Sequence, residues 1–248
     1  MNRPMRNFKL TLRYDGTDFL GWQVQPDGRT VQETLELAIA KVTGVRPYAN
    51  ASGRTDAGVH ALGQVVNFLS ETHLPTEKLP RAINANLPED LVVIEAEEVD
   101  PAFDANRHAV RKLYRYVIHD GPLADPFSRR YAYHFKQRLV VEAMDRAAMV
   151  LVGTHDFHSF ETEWPNRKTS VRTITRLDVT RTDESIRIEV EADGFLYNMV
   201  RAIAGTLINV GRGYWTEDKM AEILKAEDRR LAGPTAPACG LFLVRVTY

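Results

Sequence analysis

The sequence predicts an α+β protein, and three observations carry that prediction. Strand-like and helix-like segments intermix along the whole chain, without the strict βαβ alternation of a parallel sheet. The style of the first half recurs in the second, which places two similar halves at 1–105 and 106–248. A length of 248 residues with 44% hydrophobic content suits one large or two modest domains with proper cores.

In the first half, Phe8, Leu10, Leu12 and Tyr14 alternate with polar residues and run into Asp15-Gly16, the pattern of a strand closing in a turn. Thr30 offers a helix N-cap with Glu33 completing a capping box. Val31, Leu35, Ile39 and Val42 follow at helical spacing, and Gly44 supplies the stop. Gln64 to Leu69 reads as a strand. A short helix carries Leu79, Ile83 and Leu87, with Pro80 tolerated in its first turn. Leu91 to Val99 is another strand.

In the second half, Arg111 to Ile118 is a strand on which Tyr114, Tyr116 and Ile118 share one face and Leu113, Arg115 and Val117 the other. Val140 to Val152 is a helix ended by Gly153. Val171 to Thr180 and Ile186 to Val190 form two strands joined through Asp183-Glu184. Leu196 to Val210 is a long helix whose Met199, Ile203, Leu207 and Val210 make one apolar face. Thr216 caps a helix through Leu224, and Leu241 to Tyr248 closes as a strand.

No apolar run approaches the ~18 residues of a membrane helix, and the basic N-terminus has no apolar core of a secretory signal, so no membrane association and a cytoplasmic location are expected. One cysteine, Cys239, excludes an internal disulfide and reads as a small, half-buried filler rather than a nucleophile. A net charge of −1 and a pI of 6.7 count against a nucleic-acid partner, whose domains often exceed a pI of ~9. The distribution counts for more. Arg107, Arg111, Lys112 and Arg115 cluster without an acid, Arg129-Arg130 and Arg167-Lys168 adjoin, and the acids gather between Glu89 and Asp100. Segregation of this kind can give a neutral protein a basic face.

The stretch GRTDAGVHALGQV, from Gly53 to Val65, is the most informative. It sets Asp56 in a loop bracketed by Gly53 and Gly58, where a carboxylate can be held toward a ligand. Read alone, it is also an ordinary polar turn. The full string resembles the signature of the tRNA pseudouridine synthase A family, and the likeness continues along nearly the whole chain. YDGTDFLGWQVQP (Tyr14–Pro26) with TVQETLELAIAKVTG (Thr30–Gly44), RKLYRYVI (Arg111–Ile118), GFLYNMVRAIAGTLINVG (Gly194–Gly211) and APACGLFL (Ala236–Leu243) resemble the family's other motifs in its order.

The resemblance implies two related ferredoxin-like α/β subdomains whose antiparallel sheets join, with a catalytic cleft between them. It implies isomerisation of uridine to pseudouridine at positions 38, 39 and 40 of the tRNA anticodon stem-loop, by a homodimer. That reaction breaks a glycosidic bond and joins C5 to C1′ with no redox step or group carrier, so neither cofactor nor metal is expected. By resemblance Asp56 is the catalytic carboxylate, of a type that serves as nucleophile at anomeric carbons; attack at C1′, attack at C6 and removal of a sugar proton are all open to it from sequence. Arg201 is its paired cation, Tyr114 stacks on the displaced uracil, Arg54 helps hold the flipped nucleotide out, and Leu241 walls the pocket. Arg107, Arg111 and Lys112 are candidate phosphate contacts.

Two other readings compete. Asp56 with His60, and His155-Asp156-Phe157-His158, could present metal ligands, although no further cluster completes a site. A catalytically silent RNA-binding module would use exposed aromatics on paired sheets, but would not need the Asp–Arg pair. A synthase with a shifted target position is the nearest variant.

Overall fold

The computed structural model describes residues 4–162, 169–182 and 185–248. The expected turn at Asp183-Glu184 and the basic pair Arg167-Lys168 lie outside them. The chain divides into two compact units, Met1–Val110 with Leu243–Tyr248, and Arg111–Phe242. The C-terminal residues group with the first unit because they are tied to its end. Val110 N–H donates to Thr247 O at 2.8 Å, Tyr248 Oη to Ala105 O at 2.8 Å, and the Tyr248 ring lies 5.1 Å from Phe103.

The first unit runs β1 (Arg6–Tyr14), α1 (Val31–Thr43), β2 (Asn50–Ala51), β3 (His60–Ser70), α2 (Leu79–Asn84) and β4 (Leu91–Val99). The sheet order is β4-β1-β3-β2, all pairs antiparallel. With this connectivity, that order is the split βαβ, or ferredoxin-like, arrangement. Alternation on β1 buries Phe8, Leu10 and Leu12 completely, and Val31, Leu35 and Ile39 of α1 and Leu79 and Ile83 of α2 are equally buried. Thr30 caps α1 by accepting Glu33 N–H at 3.4 Å, and Gly44 ends it at φ +82°. The helix expected around Leu87 stops at Asn84.

The second unit runs β5 (Arg111–Asp120), β6 (Tyr133–Phe135), α3 (Val141–Ala148), β7 (Gly153–Asp156), β8 (Val171–Thr182), β9 (Ser185–Ala192), α4 (Met199–Gly211), α5 (Lys219–Ala226) and the start of β10 (Leu241–Thr247). The order β5-β9-β8-β7, with β6 beside β5, repeats the β1-β3-β2 order of the first unit. Two helices, α3 and α4, again separate the strands at corresponding places, so the similarity of the halves is one of topology. Tyr116, Ile118, Ile186, Ile188 and Val190 are fully buried with Met199, Ile203 and Leu207 of α4. Asp120 is buried at the far end of β5, held by both guanidinium nitrogens of Arg181 at 2.7 and 2.9 Å and by Leu139 N–H at 2.7 Å.

Three further helix boundaries differ from the sequence expectation. The helix expected over 140–152 tightens into a 3-10 turn at Met149–Leu151. The helix expected from Leu196 begins at Met199, because Asn198 adopts φ +63°. Asp218, not Thr216, precedes α5.

Candidate active site

The Asp56 loop lies in the first unit between β2 and β3, and it is clamped from several sides. Thr55 is buried; its Oγ1 shares a 2.8 Å hydrogen bond with Tyr14 Oη and its carbonyl accepts Trp22 N–H at 2.9 Å. Asp56 O accepts Val59 N–H at 3.1 Å, and Gly58 N–H donates to Phe19 O at 3.3 Å. Gln64 ties the other flank, donating from Nε2 to Gly53 O at 2.8 Å and accepting Ser52 Oγ at 2.7 Å. Arg54 is exposed and Asp56 half-buried, so residues flanking the buried Thr55 face outward from a fixed backbone.

The preceding segment makes this possible. A Cβ on Gly21, at φ +91°, would stand 2.7 Å from Thr55 O, and one on Gly16 would stand 2.0 Å from Val59 O. Both glycines let residues 16–22 pack backbone against backbone on the Asp56 loop. Gly16 N–H also donates to Nδ1 of buried His60 at 3.0 Å. An Nδ1 that accepts this bond carries no proton for Asp15, although Asp15 Oδ1 is 3.2 Å away.

Tyr114, Arg201 and Leu241 belong to the second unit. Tyr114 is nearly buried, opposite Val190 on β9, and meets Phe195 edge-on with ring centroids 4.9 Å apart. Arg201 sits in the first turn of α4. Its Nε donates to Ala236 O at 2.7 Å and its Nη1 to Asn198 Oδ1 at 2.9 Å, so it is held back along the fold rather than extended from the helix edge. Tyr116 donates its hydroxyl to Pro237 O at 2.7 Å, and burial pushes its pKa far above the ordinary tyrosine range. A Cβ on Gly240 would meet Val117 O at 2.7 Å. The segment 236–241 therefore binds Arg201, packs on β5 and leads into buried Leu241.

The residues just before it, 233–234, approach α4 closely because Gly205 has no side chain. A Cβ on Gly205 would stand 1.8 Å from Pro234 O, and Gly233 N–H donates to Thr206 Oγ1 at 2.9 Å.

The candidate phosphate contacts are divided between the two units. Arg107 is in the first unit, exposed, with Nε 3.8 Å from Asp104. Arg111 and Lys112 are in the second and alternate on β5; Arg111 lies 3.8 Å from Glu191. Lys112 is half-buried, and burial, then the charge of Arg172, lowers its pKa. Cys239 is half-buried with Sγ 3.7 Å from Ala132 O, and burial raises its thiol pKa. His155 Nε2 lies 3.1 Å from Val152 O and His158 Nδ1 3.3 Å from Glu161. Among the described residues no three His, Cys, Asp or Glu side chains group as a metal site, and no helix is long and apolar enough to cross a membrane.

Sequence reading passed over Tyr14, Gln64 and Ala236. Tyr14 continues the buried alternation of β1 and reads as core. The available signal was Gln64, a large amide among the apolar residues of β3. Ala236 acts through its carbonyl, which sequence does not mark.

The family model for tRNA pseudouridine synthase matches residues 11–106 and 147–248, spanning parts of both units. The chain is 46% identical over 244 residues to tRNA pseudouridine synthase A of Thermoanaerobacter sp. (strain X514), covering 98% of this chain and 100% of that protein. It is 47% identical over 242 residues to tRNA pseudouridine synthase A of Bacillus subtilis (strain 168), covering 97% and 98%. Among solved structures it is similar to a crystal structure of a Cbf5-Nop10-Gar1 complex at 12% identity and a TM-score of 0.34, covering 85% of this chain and 55% of that one. The chain belongs to the tRNA pseudouridine synthase family.

Proposed function

We propose that this chain isomerises uridine to pseudouridine in tRNA, acting as a cytoplasmic homodimer on positions 38, 39 and 40 of the anticodon stem-loop. Family membership supports the reaction. The observation that carries the choice of residue is the clamped loop that holds Asp56 half-buried beside buried Thr55. Asp56 is the catalytic carboxylate. The N1–C1′ bond of the target uridine breaks, the freed uracil turns, C5 bonds to C1′, and the C5 proton leaves to solvent while N1 is protonated.

The other residues serve the flipped nucleotide. Tyr114 stacks on the uracil; stacking is worth ~1–3 kcal/mol per base, against a flipping cost of a few kcal/mol. Arg201 supplies the countercharge that keeps the carboxylate ionised. Arg54, exposed beside Asp56, holds the nucleotide out, and Leu241 walls the pocket. Arg107, Arg111 and Lys112 contact phosphates. No metal or cofactor takes part.

Asp56→Asn keeps the side chain's shape and removes its charge. Tritium release from a tRNA transcript labelled at uridine C5 should vanish while tRNA binding survives. More than trace release by this variant would reject Asp56 as the catalytic carboxylate. Mapping pseudouridine in total tRNA from a deletion strain tests the positions: loss elsewhere than 38, 39 and 40 would reject them.

A further inference from the structure

We propose that Tyr14 is a positioning residue that fixes the direction of Asp56 through Thr55. This rests on the reading of Asp56 as the catalytic carboxylate. Tyr14 ends β1, and its hydroxyl is buried among polar groups of the loop rather than among the core's apolar ones. It shares the 2.8 Å hydrogen bond with Thr55 Oγ1 and receives a long 3.5 Å contact from Gln64 Nε2. Gln64 in turn holds Ser52 and Gly53. Ser52, Gln64, Tyr14 and Thr55 thus form one buried polar chain under the loop, with every side chain at most 5% exposed.

The peptide geometry carries the constraint to Asp56. A peptide unit is planar, so fixing Thr55's carbonyl also fixes the N–H and Cα of the next residue. The carbonyl is held by Trp22 N–H, and the Thr55 side chain by Tyr14. Together these two anchors set the plane from which the Asp56 Cα–Cβ bond projects. Burial pushes the Tyr14 hydroxyl up to about 12 against the opposing hydrogen bonds of Thr55 and Gln64, so it keeps its proton at neutral pH and the anchor does not switch. A loop that loses one anchor can rotate its peptide plane. Misplacing a reacting group by about 1 Å can cost ~100-fold in rate.

The test is a set of variants measured for single-turnover tritium release, tRNA affinity and thermal melting. Tyr14→Phe and Thr55→Val should each slow the single-turnover rate by about tenfold or more, with tRNA affinity changed by less than about twofold. Thr55→Ser, which keeps the hydroxyl, should restore most of the rate. Because both residues act through one bond, the Tyr14→Phe/Thr55→Val double variant should be no slower than the slower single. A wild-type rate in Tyr14→Phe, or strictly multiplied losses in the double variant, would overturn the proposal. If Tyr14→Phe does not fold, the Thr55 pair decides: a slow Val variant beside a fast Ser variant supports it, and equal rates overturn it. Asp56→Asn is run alongside. Turnover by that variant would remove the reading beneath the proposal, an outcome distinct from any result at Tyr14.

Discussion

Gly205→Ala should destabilise the protein and slow it, although alanine is the better helix former. In α4 alanine gains ~1 kcal/mol over glycine from propensity alone. Against that, the new Cβ would lie 1.8 Å from Pro234 O, where real contacts are not closer than 3.0 Å. The obstacle is a backbone carbonyl, so the 233–236 segment must retreat by about 1 Å or more. Three hydrogen bonds span that contact: Gly233 N–H to Thr206 Oγ1, Ala236 N–H to Arg201 O, and Arg201 Nε to Ala236 O. Neutral bonds are worth ~1 kcal/mol each, and one from a charged donor ~1.5–3 kcal/mol. After the propensity gain, a net loss of about 3 kcal/mol follows, or a fall in Tm of roughly 6–12 °C. Turnover should drop with it, because Ala236 O is one anchor of Arg201. Gly44→Ala is the control: it meets nothing within 4 Å at φ +82° and should cost only the ~1–2 kcal/mol of left-handed strain. Urea unfolding of both variants measures the difference. A Gly205→Ala protein as stable as wild type would refute the close packing of 233–236 on α4.

Asp120 should show in the acid limb of stability. Burial works to raise its pKa, but the hydrogen bonds of Arg181 and Leu139 and the charges of Arg181 and Arg138 outweigh that and lower it. A carboxyl depressed in the folded state contributes stability above its unfolded pKa of ~3.9 and loses it as pH falls through the folded value. Asp120→Asn should therefore cost roughly 1.5–3 kcal/mol at neutral pH and flatten the fall in stability below pH ~4; an unchanged acid profile would show that the pair contributes nothing. Tyr114→Phe keeps the ring and should bind a stem-loop with an unpaired target uridine nearly as wild type does, whereas Tyr114→Ala should lose ~1–3 kcal/mol. Equal weakening by both would exclude stacking.

What the sequence made legible was mostly local. Thr30 and Gly44 bound α1 as expected because a cap and a left-handed stop depend on a few neighbouring residues. The strands β1, β4, β5 and β10 follow from alternation. A two-residue strand such as β2 has no period to read, and the apolar Leu196 pulled the expected start of α4 one turn early across Asn198. The two tyrosines of β5 share a face, and alternation cannot rank them. Tyr116's hydroxyl donates to Pro237 O, 121 residues away, and the Tyr114 ring meets Phe195 edge-on, contacts that no period reveals. Arg201 is likewise placed by a carbonyl from another segment.

The Asp56 loop owes its packing to atoms outside its own string. Its bracketing glycines suggested the source of its freedom, yet of the two only Gly58 takes a positive φ, at +76°. The glycines on which the loop's close packing depends are Gly16 and Gly21, in a different motif, because their missing side chains admit the carbonyls of Val59 and Thr55. Tyr14 and Trp22, at the ends of that same segment, hold Thr55 directly. Two motifs that read as separate strings about 40 residues apart are therefore one object: a carboxylate loop and the cradle that orients it. A change in either string should act on the same peptide plane, which is why their joint presence says more about this chain than either carboxylate loop or glycine turn could alone.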